Sequence, residues 1–433
     1  MSGRPYRGRL DPHGTALESA YRADRDRVLA RLIRILGDFD LAEDALQDAL
    51  VTATSDWPAH GVPANPAGWL VTTARRKAID RLRSAAASDR RARAWGELAV
   101  AWDIGDGMGP IPDDRLRLMF TCCHPALTHE AQVALTLRTL GGLSTDEVAR
   151  AFLISEPALA QRIVRAKRKI RSAGIGYRVP SEEELPARLA AVLAVIYLVF
   201  NAGYLAPSGP ELVKVDLCDE ALRLAGLLAD LLPGDPEPLS LAAMMYFQDA
   251  RRGARLDAEG VPLTLDEQDR AGWERAKVAM GLELLERARG MGLRGPYGLK
   301  ASISALHATA PRADVTDWRT IVRLYDALLQ WEPTAVVRLN RAVAVAMADS
   351  PAAGLKLVDD PDLRAELTDY HLYEVTRADL LRRMGRSEEA AASYRMARRQ
   401  TGNAAEHRFI DRRLETLGDV SGPGPAPEVR PEG

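Results

Sequence analysis

The sequence predicts an all-α protein in which two small helical domains, joined by a linker, precede a large helical domain. Apolar residues recur at spacings of three and four through most of the 433-residue chain, as on one face of a helix. Leu, Ala and Arg are abundant, and these residues favour helices. Near the C-terminus, segments 339–355 and 375–391 resemble each other at an offset of 36 residues, which is typical of the helix pairs in tetratricopeptide-like (TPR-like) repeats.

The first helical domain is predicted over residues 15–84. Its second helix is expected to be capped by Asp40, with Glu43 three residues further on. The segment PAHGVPANPAG, residues 58–68, holds three prolines and two glycines and therefore predicts a loop. The helical pattern resumes at Trp69, in WLVTTARRKAIDRLR.

A linker is predicted over residues 85–112. It ends in GDGMGPIP, a glycine cluster without the Lys and the Ser or Thr of a phosphate-binding loop. The second helical domain follows over residues 113–175. Ser144 and Glu147 form a capping-box pattern there, and Ser155 precedes another helix.

The C-terminal part, residues 181–418, is predicted to be a series of amphipathic helices forming the TPR-like domain. Residues 419–433 are rich in Pro and Gly and predict a disordered tail. The longest apolar run, Leu189 to Phe200, has twelve residues. A membrane span needs about 18 or more, so the run predicts a buried helix and no membrane partner.

The net charge of −2 is unevenly distributed along the chain, with basic and acidic residues concentrated in different segments. Residues 1–180 hold 27 Lys or Arg against 21 Asp or Glu, whereas residues 181–433 hold 31 against 39. Positions 75–93 carry eight basic and two acidic residues, positions 161–178 seven basic and none acidic, and positions 38–48 five acidic and none basic. This pattern predicts an anionic polymer and a separate second partner, with solvated helix faces as the alternative.

The stretch SEPALAQRIVRAKRKIR, residues 155–171, predicts the second helix of a helix-turn-helix, which would enter the major groove of DNA. Its apolar positions share one face, while its polar positions point away. The residues expected to reach base edges are Ala158, Gln161, Arg162 and Arg165. The cations expected to hold phosphates are Lys167, Arg168, Lys169 and Arg171. A helical hairpin with a merely solvated basic face is the alternative.

A second nucleic-acid contact is predicted in the first domain, where Trp57 and Trp69 flank the proline-rich loop. Aromatic side chains beside cations suit single-stranded DNA, whose bases stack or flip while cations follow the backbone. The cations near this loop are Arg75, Arg76, Lys77, Arg81 and Arg83. Alternatively, both tryptophans are core residues. The neighbouring acidic cluster, Asp38, Asp40, Glu43, Asp44 and Asp48, would suit a basic protein.

The three cysteines, Cys122, Cys123 and Cys218, fit a reducing cytoplasm without disulfides, and the N-terminus has no apolar signal core. A cytoplasmic protein is therefore expected. Adjacent cysteines in TCCHPALTHE are poorly spaced for one zinc ion, so this stretch predicts a structural motif and no metal. The sequence contains no H-E-x-x-H, Walker loop or G-x-S-x-G, so neither a cofactor nor an enzymatic activity is predicted.

The order of acidic helix, Trp-bearing loop, basic helix, tether and helix-turn-helix resembles a bacterial sigma factor of the sigma-70 family, extracytoplasmic-function (ECF) type. DLAEDALQDALVTATSDWP and PAGWLVTTARRKAIDRLR resemble region two, and VARAFLISEPALAQRIVRAKRKI resembles region four. DDRLRLMFTCCHPAL, LAAVLAVIYLVFNAGY, DEQDRAGW, GPYGLKASISALHA and LNRAVA resemble the ECF subgroup with a long C-terminal TPR-like extension. One departure is Ala202, where the subgroup usually has an acidic residue in its FNxGY stretch.

This resemblance implies a role for each matching residue. The residues implied to dock on the clamp, in the largest subunit of core RNA polymerase, are Glu43, Asp44, Gln47 and Asp48. Loop 57–68, with Asn65, would take a flipped base of the minus-ten element. The residues implied to melt and hold that element are Trp69, Arg75, Arg76, Lys77 and Arg81. The minus-thirty-five element would be recognised by Gln161, Arg162 and Arg165, flanked by Ala158, Arg168 and Lys169.

The predicted function is therefore an ECF-type sigma factor that binds core RNA polymerase and promoter DNA. Its C-terminal domain would regulate or stabilise the sigma part, either through a regulatory protein or by contacting regions two and four. One alternative is a helix-turn-helix regulator with a TPR sensor domain that acts without polymerase. Another is a repeat scaffold that binds nucleic acid incidentally.

Overall fold

A computed structural model of the chain describes residues 12–86, 114–152, 154–204, 215–293 and 295–420. Over these ranges the regular structure is helical, and the extended pairing is limited to one antiparallel bridge between Leu256 and Pro262. The predicted all-α class is thus confirmed. The chain divides into two compact units, one up to Val195 and one from Ile196 onward.

The described residues of the first unit form seven helices and the start of an eighth. They are α1 (Pro12–Leu36), α2 (Phe39–His60), α3 (Pro66–Ala86), α4 (Arg115–Cys122), α5 (His129–Thr139), α6 (Thr145–Phe152), α7 (Glu156–Ser172) and α8 (Leu185–Tyr204). Helices α1, α2 and α3 pack on one another, α4 contacts α1, and α5, α6 and α7 form a second group. The predicted linker falls largely on residues 87–113, outside the described residues.

The N-cap of α2 is Asp38, so the prediction of Asp40 was wrong by two residues. Gly37 ends α1 with a φ of +66° and donates its N–H to the carbonyl of Ile33 at 2.8 Å. Because the chain turns there at once, Asp38 is already extended and its carboxylate accepts from the N–H groups of Asp40 and Leu41 at 2.9 and 3.0 Å.

The loop after α2 is shorter than predicted, because α2 continues through Pro58 to His60. Pro58 lies in the last turn, where its ring removes a single backbone hydrogen bond. Gly61, with a φ of +88°, then closes the helix by donating its N–H to the carbonyl of Trp57 at 2.9 Å. Helix α3 starts at Pro66, where the missing N–H has no helical partner in any case.

The caps predicted for the helix-turn-helix are confirmed. The N–H of Ser144 donates to Glu147 Oε2 at 2.7 Å, and the N–H of Glu147 donates to Ser144 Oγ at 3.1 Å. Ser155 Oγ accepts from the N–H of Ala158 at 3.4 Å, and Pro157 lies in the first turn of α7. The reciprocal pair fixes where α6 begins, and the single Ser155 cap fixes where α7 begins.

Helix α8 is long and apolar enough to cross a membrane by length and composition, and it alone meets this test among the described residues. A single such helix is weak evidence for a span, since core helices of soluble proteins meet the same test. Val192, Val195, Val199 and Phe200 are buried, as predicted for this run, whereas Leu198 is 41% exposed.

The described residues of the second unit form the end of α8 and eleven further α-helices. They are α9 (Val215–Leu231), α10 (Pro236–Asp249), α11 (Arg275–Gly290), α12 (Pro296–Thr309), α13 (Trp318–Leu328), α14 (Ala335–Ala348), α15 (Pro351–Val358), α16 (Pro361–Glu366), α17 (His371–Arg383), α18 (Ser387–Gln400) and α19 (Ala404–Val420). Helices α14 and α15 begin 36 residues before α17 and α18 respectively, which confirms the repeat offset read from the sequence.

Helices α14 and α15 approach each other most closely at Gly354. A Cβ placed on this glycine would lie 2.3 Å from the Cβ of Ala346 and 2.8 Å from the carbonyl oxygen of Ala342. No side chain fits such a space without moving a backbone, so the close packing of this pair depends on glycine at this position.

Candidate nucleic-acid interface

Helix α7 separates its residues by face as the sequence predicts. The buried residues of its apolar face are Leu159, Ile163, Ala166 and Ile170. The exposed residues of the opposite face include Ala158, Gln161, Arg165, Arg168 and Lys169, with Arg162 half-buried at the border. A helix held by its apolar side thus presents a polar, cationic side to solvent.

Two contacts organise the exposed face of α7. The guanidinium of Arg165 donates to Gln161 Oε1 at 2.5 Å, so these side chains, one turn apart, form one patch. Val164 lies beside them and is 52% exposed. The sequence analysis missed Val164, although its spacing of three from Gln161 and four from Arg168 places it on this face.

Lys167 is not available to a phosphate, contrary to the expectation from sequence. Its side chain is 8% exposed, and its Nζ lies 2.9 Å from Asp40 Oδ1 and 3.2 Å from Glu43 Oε2. It also lies over the ring of Phe39, 5.8 Å from the centroid. Four residues after Ile163 and three before Ile170, Lys167 shares the apolar side of α7 and therefore faces α2.

Arg171, also expected to hold a phosphate, is paired with the same helix. Its guanidinium lies 2.5 Å from Asp38 Oδ2, although 58% of the side chain remains exposed. Nearby, the rings of Phe39 and Tyr177 meet edge to face at 5.6 Å. The N-terminal turn of α2 therefore contacts α7 through ion pairs and contacts the segment after α7 through the ring of Tyr177.

The rest of the acidic cluster contacts α3. Arg81 bridges Asp44 and Asp48, at 2.8 and 2.7 Å, and is 44% exposed. Gln47 is exposed beside them, and Val51, one turn further along α2, is 69% exposed. The acidic helix thus contacts both basic helices, and its face around Gln47 and Val51 stays open.

The tryptophans near the loop differ in burial. Trp57 is 1% exposed, so the core alternative holds for it. Trp69 is partly exposed and meets the ring of Trp57 edge to face at 5.6 Å. Asn65 caps α3, because its Oδ1 accepts from the N–H of Gly68 at 2.9 Å.

The basic residues of α3 also differ in how far their side chains are exposed. Arg76 and Lys77 are exposed, whereas Arg75 is half-buried. The Arg83 side chain lies outside the described residues. With Arg81 engaged by α2, Arg76 and Lys77 provide exposed positive charge in the middle of α3, about two turns after Trp69.

A buried carboxylate that the sequence analysis did not single out joins α4 to α1. Asp114 is 1% exposed and pairs with Arg31 at 3.1 Å, Arg34 at 2.9 Å and Arg117 at 2.6 Å. Three cations around one carboxylate compensate its desolvation. The spacing of Arg31 and Arg34 on one face of α1 was the available sequence signal.

The paired cysteines fill the core between α4 and α5. Burial raises the pKa of the Cys123 thiol to about 12 and that of Cys122 well above its ordinary value. Gln132 Nε2 donates to the carbonyl of His124 at 2.9 Å and so closes the turn. Among the residues that the structure describes, no group of three or more His, Cys, Asp or Glu is arranged to hold a metal ion.

A capped helix-turn-helix with a cationic outer face, together with a second basic helix in the same unit, defines a DNA-binding transcription factor. Residues 20–88 match the family described as sigma-70 region 2, and residues 117–170 match sigma-70 region 4. Residues 188–289 match a family of unknown function, DUF6596.

Relatives extend these matches. An uncharacterized protein of Rhizobium meliloti is 40% identical over 410 residues, covering 93% of this chain and 96% of the relative. The ECF RNA polymerase sigma factor SigK of Mycobacterium ulcerans is 28% identical over 188 residues, covering 40% of this chain and 97% of SigK. The chain belongs to the sigma-70 family of RNA polymerase sigma factors, ECF type, and carries a C-terminal helical extension.

Proposed function

We propose that the chain directs core RNA polymerase to promoters, with α7 reading the minus-thirty-five element, α3 holding the minus-ten element and α2 facing the polymerase. The observation that carries this proposal is the sorted burial of α7, which leaves Gln161 and Arg165 exposed at the end that enters the groove. The chain acts in the cytoplasm as a transcription initiation factor and has no catalytic chemistry of its own.

Base recognition is assigned to the first three turns of α7. Gln161 and Arg165 can each bond a base edge, and their mutual hydrogen bond aligns them before DNA arrives. Val164 adds an apolar surface for the methyl group of a thymine. Ala158 and Arg162 flank this patch, while Arg168 and Lys169 hold phosphates.

The minus-ten contact is assigned to α3 and to the loop before it. Trp69, at the edge of the tryptophan pair, offers a ring face for stacking, while Arg76 and Lys77 follow the backbone. Asn65 stands at the loop end as the proposed contact for a flipped base. Arg75 and Arg81 support this surface from its border, Arg81 while paired with α2.

Polymerase docking is assigned to the open face of α2 between Asp44 and Val51. Asp44, Gln47 and Asp48 supply polar contacts, and Val51 supplies an apolar centre. Glu43 shares this helix but is engaged by Lys167, so its participation requires α7 to release that ion pair. The clamp of the polymerase would present the complementary basic surface.

The test is run-off transcription with core polymerase on fragmented genomic DNA of the host. The Asp44→Arg, Asp48→Arg variant should lose promoter-specific transcripts at least tenfold, because charge reversal repels a basic partner. Glu182→Arg, Glu183→Arg, a charge-matched change at exposed positions outside α2, should retain them. Equal transcripts from both variants would contradict docking through α2.

For the C-terminal domain we propose a regulatory or stabilising role, exerted by binding a regulatory protein. Its net charge of −8, opposite to that of residues 1–180, supports this assignment. A chain ending at Tyr204 should differ from the full chain in the run-off assay. Identical transcript yields from the two chains would argue against regulation by this domain.

A helix-turn-helix regulator that acts without polymerase is the second candidate. It is favoured by one observation: Asp38, Asp40, Glu43, Asp44 and Asp48 all have basic partners within the chain. This candidate predicts tight binding to specific duplexes with no transcripts from core polymerase. It also predicts that the Asp44→Arg, Asp48→Arg variant keeps its DNA affinity.

A further inference from the structure

A cavity of about 310 Å³ lies within the second unit, between α12, α13, α14, α17 and α19. Its size falls at the lower end of small-molecule sites, which span roughly 300–1,000 Å³. Most of its lining is apolar, and its aromatic walls are Trp318, Tyr325 and Phe409. Neither DNA nor polymerase binding, as assigned above, uses this cavity.

One side of the cavity is charge-balanced. Arg383 Nε lies 2.6 Å from Asp379 Oδ2, and its terminal nitrogen lies 3.3 Å from Asp266 Oδ2. Both carboxylates are therefore already paired with a cation. The charges on this side of the cavity are therefore balanced without a charged ligand.

The other side holds a buried guanidinium without a carboxylate. Arg270 is 7% exposed and forms no ion pair with a described residue. One terminal nitrogen donates to the carbonyls of His307 and Ala310 at 2.7 and 2.6 Å, and the other lies 3.5 Å from Thr316 Oγ1. Its Nε is buried and has no hydrogen-bond partner among the described residues. A buried charge in this state is costly and is relieved by an anion.

His307 strengthens the preference for an anion. Its Nδ1 is also buried without a partner in the described chain, and its ring meets Trp318 edge to face at 5.0 Å. Burial, together with the charges of Arg251 and Arg270, lowers the pKa of His307 to about 4. The neutral imidazole can donate one N–H to an acceptor, while two guanidinium groups make the local potential positive.

We propose that this cavity binds a small organic acid, whose carboxylate meets Arg270 and His307 and whose planar apolar body lies against Trp318, Tyr325 and Phe409. A single negative charge matches Arg270, the guanidinium of the described lining that forms no ion pair, which favours a monocarboxylate over a phosphate dianion. The C-terminal carboxylate of a peptide ending in Phe offers the same chemistry. The small volume favours a free acid over such a peptide.

The experiment is calorimetric titration of the full-length chain with phenylacetate, indole-3-acetate and their neutral amides. Each acid should bind at least tenfold more tightly than its amide, and both acids should bind more tightly than the peptide Ala-Ala-Phe. Arg270→Gln should weaken acid binding at least tenfold and remove the preference over the amide. The matched control is Arg319→Gln, at an exposed position outside the cavity lining, which should leave binding unchanged.

Val343→Trp provides a second variant, since Val343 lines the cavity and is partly exposed. The larger ring should fill the space and abolish acid binding, even if Arg270→Gln fails to fold. The proposal is overturned if neither acid binds at millimolar concentration, if amides or the peptide bind as tightly, or if filling the cavity has no effect. None of these outcomes depends on polymerase, so they are distinct from failure of the sigma-factor assignment.

Discussion

Helices α3 and α7 are both basic and both contact the acidic helix α2, yet their ion pairs differ in exposure. Arg81 of α3 meets Asp44 and Asp48 at the surface, where it is 44% exposed. Lys167 of α7 meets Asp40 and Glu43 with 8% exposure. Surface pairs contribute about 0–1 kcal/mol, whereas breaking a buried pair is far more costly. A cation paired with α2 thus stays at the surface on one helix and is buried between helices on the other.

Reversing the buried charge should have the largest effect on this comparison. Lys167→Glu would place a third carboxylate beside Asp40 and Glu43 and should lower the free energy of unfolding of the first unit by about 3 kcal/mol. Urea unfolding, with hydrogen exchange of the α2 and α7 amides, measures this change. Lys169→Glu, two positions away and exposed, should stay within about 0.5 kcal/mol. Equal losses from the two variants would contradict the positioning role of Lys167.

Removing a base contact should have the next largest effect. Gln161→Ala should cost about 1–3 kcal/mol of discrimination between promoter and scrambled duplexes. Arg168→Ala should weaken both duplexes alike and reduce the salt slope by about 0.9, as expected for one phosphate contact. Binding of the full chain to both duplexes at several salt concentrations separates the two effects. A scrambled-duplex affinity that falls equally in both variants would place Gln161 at the backbone.

The caps of the two helices offer a smaller and sharper comparison. Ser155→Ala on α7 and Asn65→Ala on α3 should each lower stability by about 1 kcal/mol. Asn65→Asp keeps an oxygen for the N–H of Gly68 and should restore stability. It should still impair opening of the minus-ten element, measured by permanganate footprinting, if the amide contacts a flipped base. Full opening by the Asp variant would restrict Asn65 to capping.

The smallest expected effect is on the salt dependence of DNA binding, where an unpaired cation of α3 is compared with a paired one. Arg76→Gln should reduce the salt slope for single-stranded minus-ten DNA by about 0.7, because an exposed cation releases a counterion. Arg81→Gln should reduce it less, since Asp44 and Asp48 already neutralise this guanidinium. Fluorescence titration with a labelled oligonucleotide at three salt concentrations is sufficient. Identical slopes for the two variants would mean that Arg81 leaves α2 when DNA binds.

Local features of the fold were predictable because they depend on near neighbours. The capping box of Ser144 and Glu147, the cap at Ser155 and the apolar face of α7 follow from spacing alone. Asp40 was mistaken for a cap because both it and Asp38 precede an apolar run. The positive φ of Gly37 ends α1 there and makes Asp38, the next residue, the N-cap of α2.

Features that depend on distant partners were not predictable from sequence. Spacing places Lys167, unlike Lys169, on the apolar side of α7, but its ion-pair partner Asp40 lies 127 positions away in the sequence. Spacing therefore does not show that the charge of Lys167 is paired. Asp114 finds two of its three cations about 80 positions away. Arg270 and His307 meet across 37 positions, with no motif to connect them. In each case tertiary contacts assign different environments to chemically similar side chains.

The close approach at Gly354 has a consequence for mutational tolerance. Any substitution there must separate α14 from α15, whereas the position 36 residues later, Ala390, already holds a methyl group that is fully buried in the second helix pair. A saturation library scored for soluble protein should therefore keep only glycine at position 354, whereas position 390 should accept glycine or serine in place of alanine. The two repeats share an offset of 36 residues but accept different residues at this position. A hybrid made by exchanging them would therefore fail to pack at this one residue.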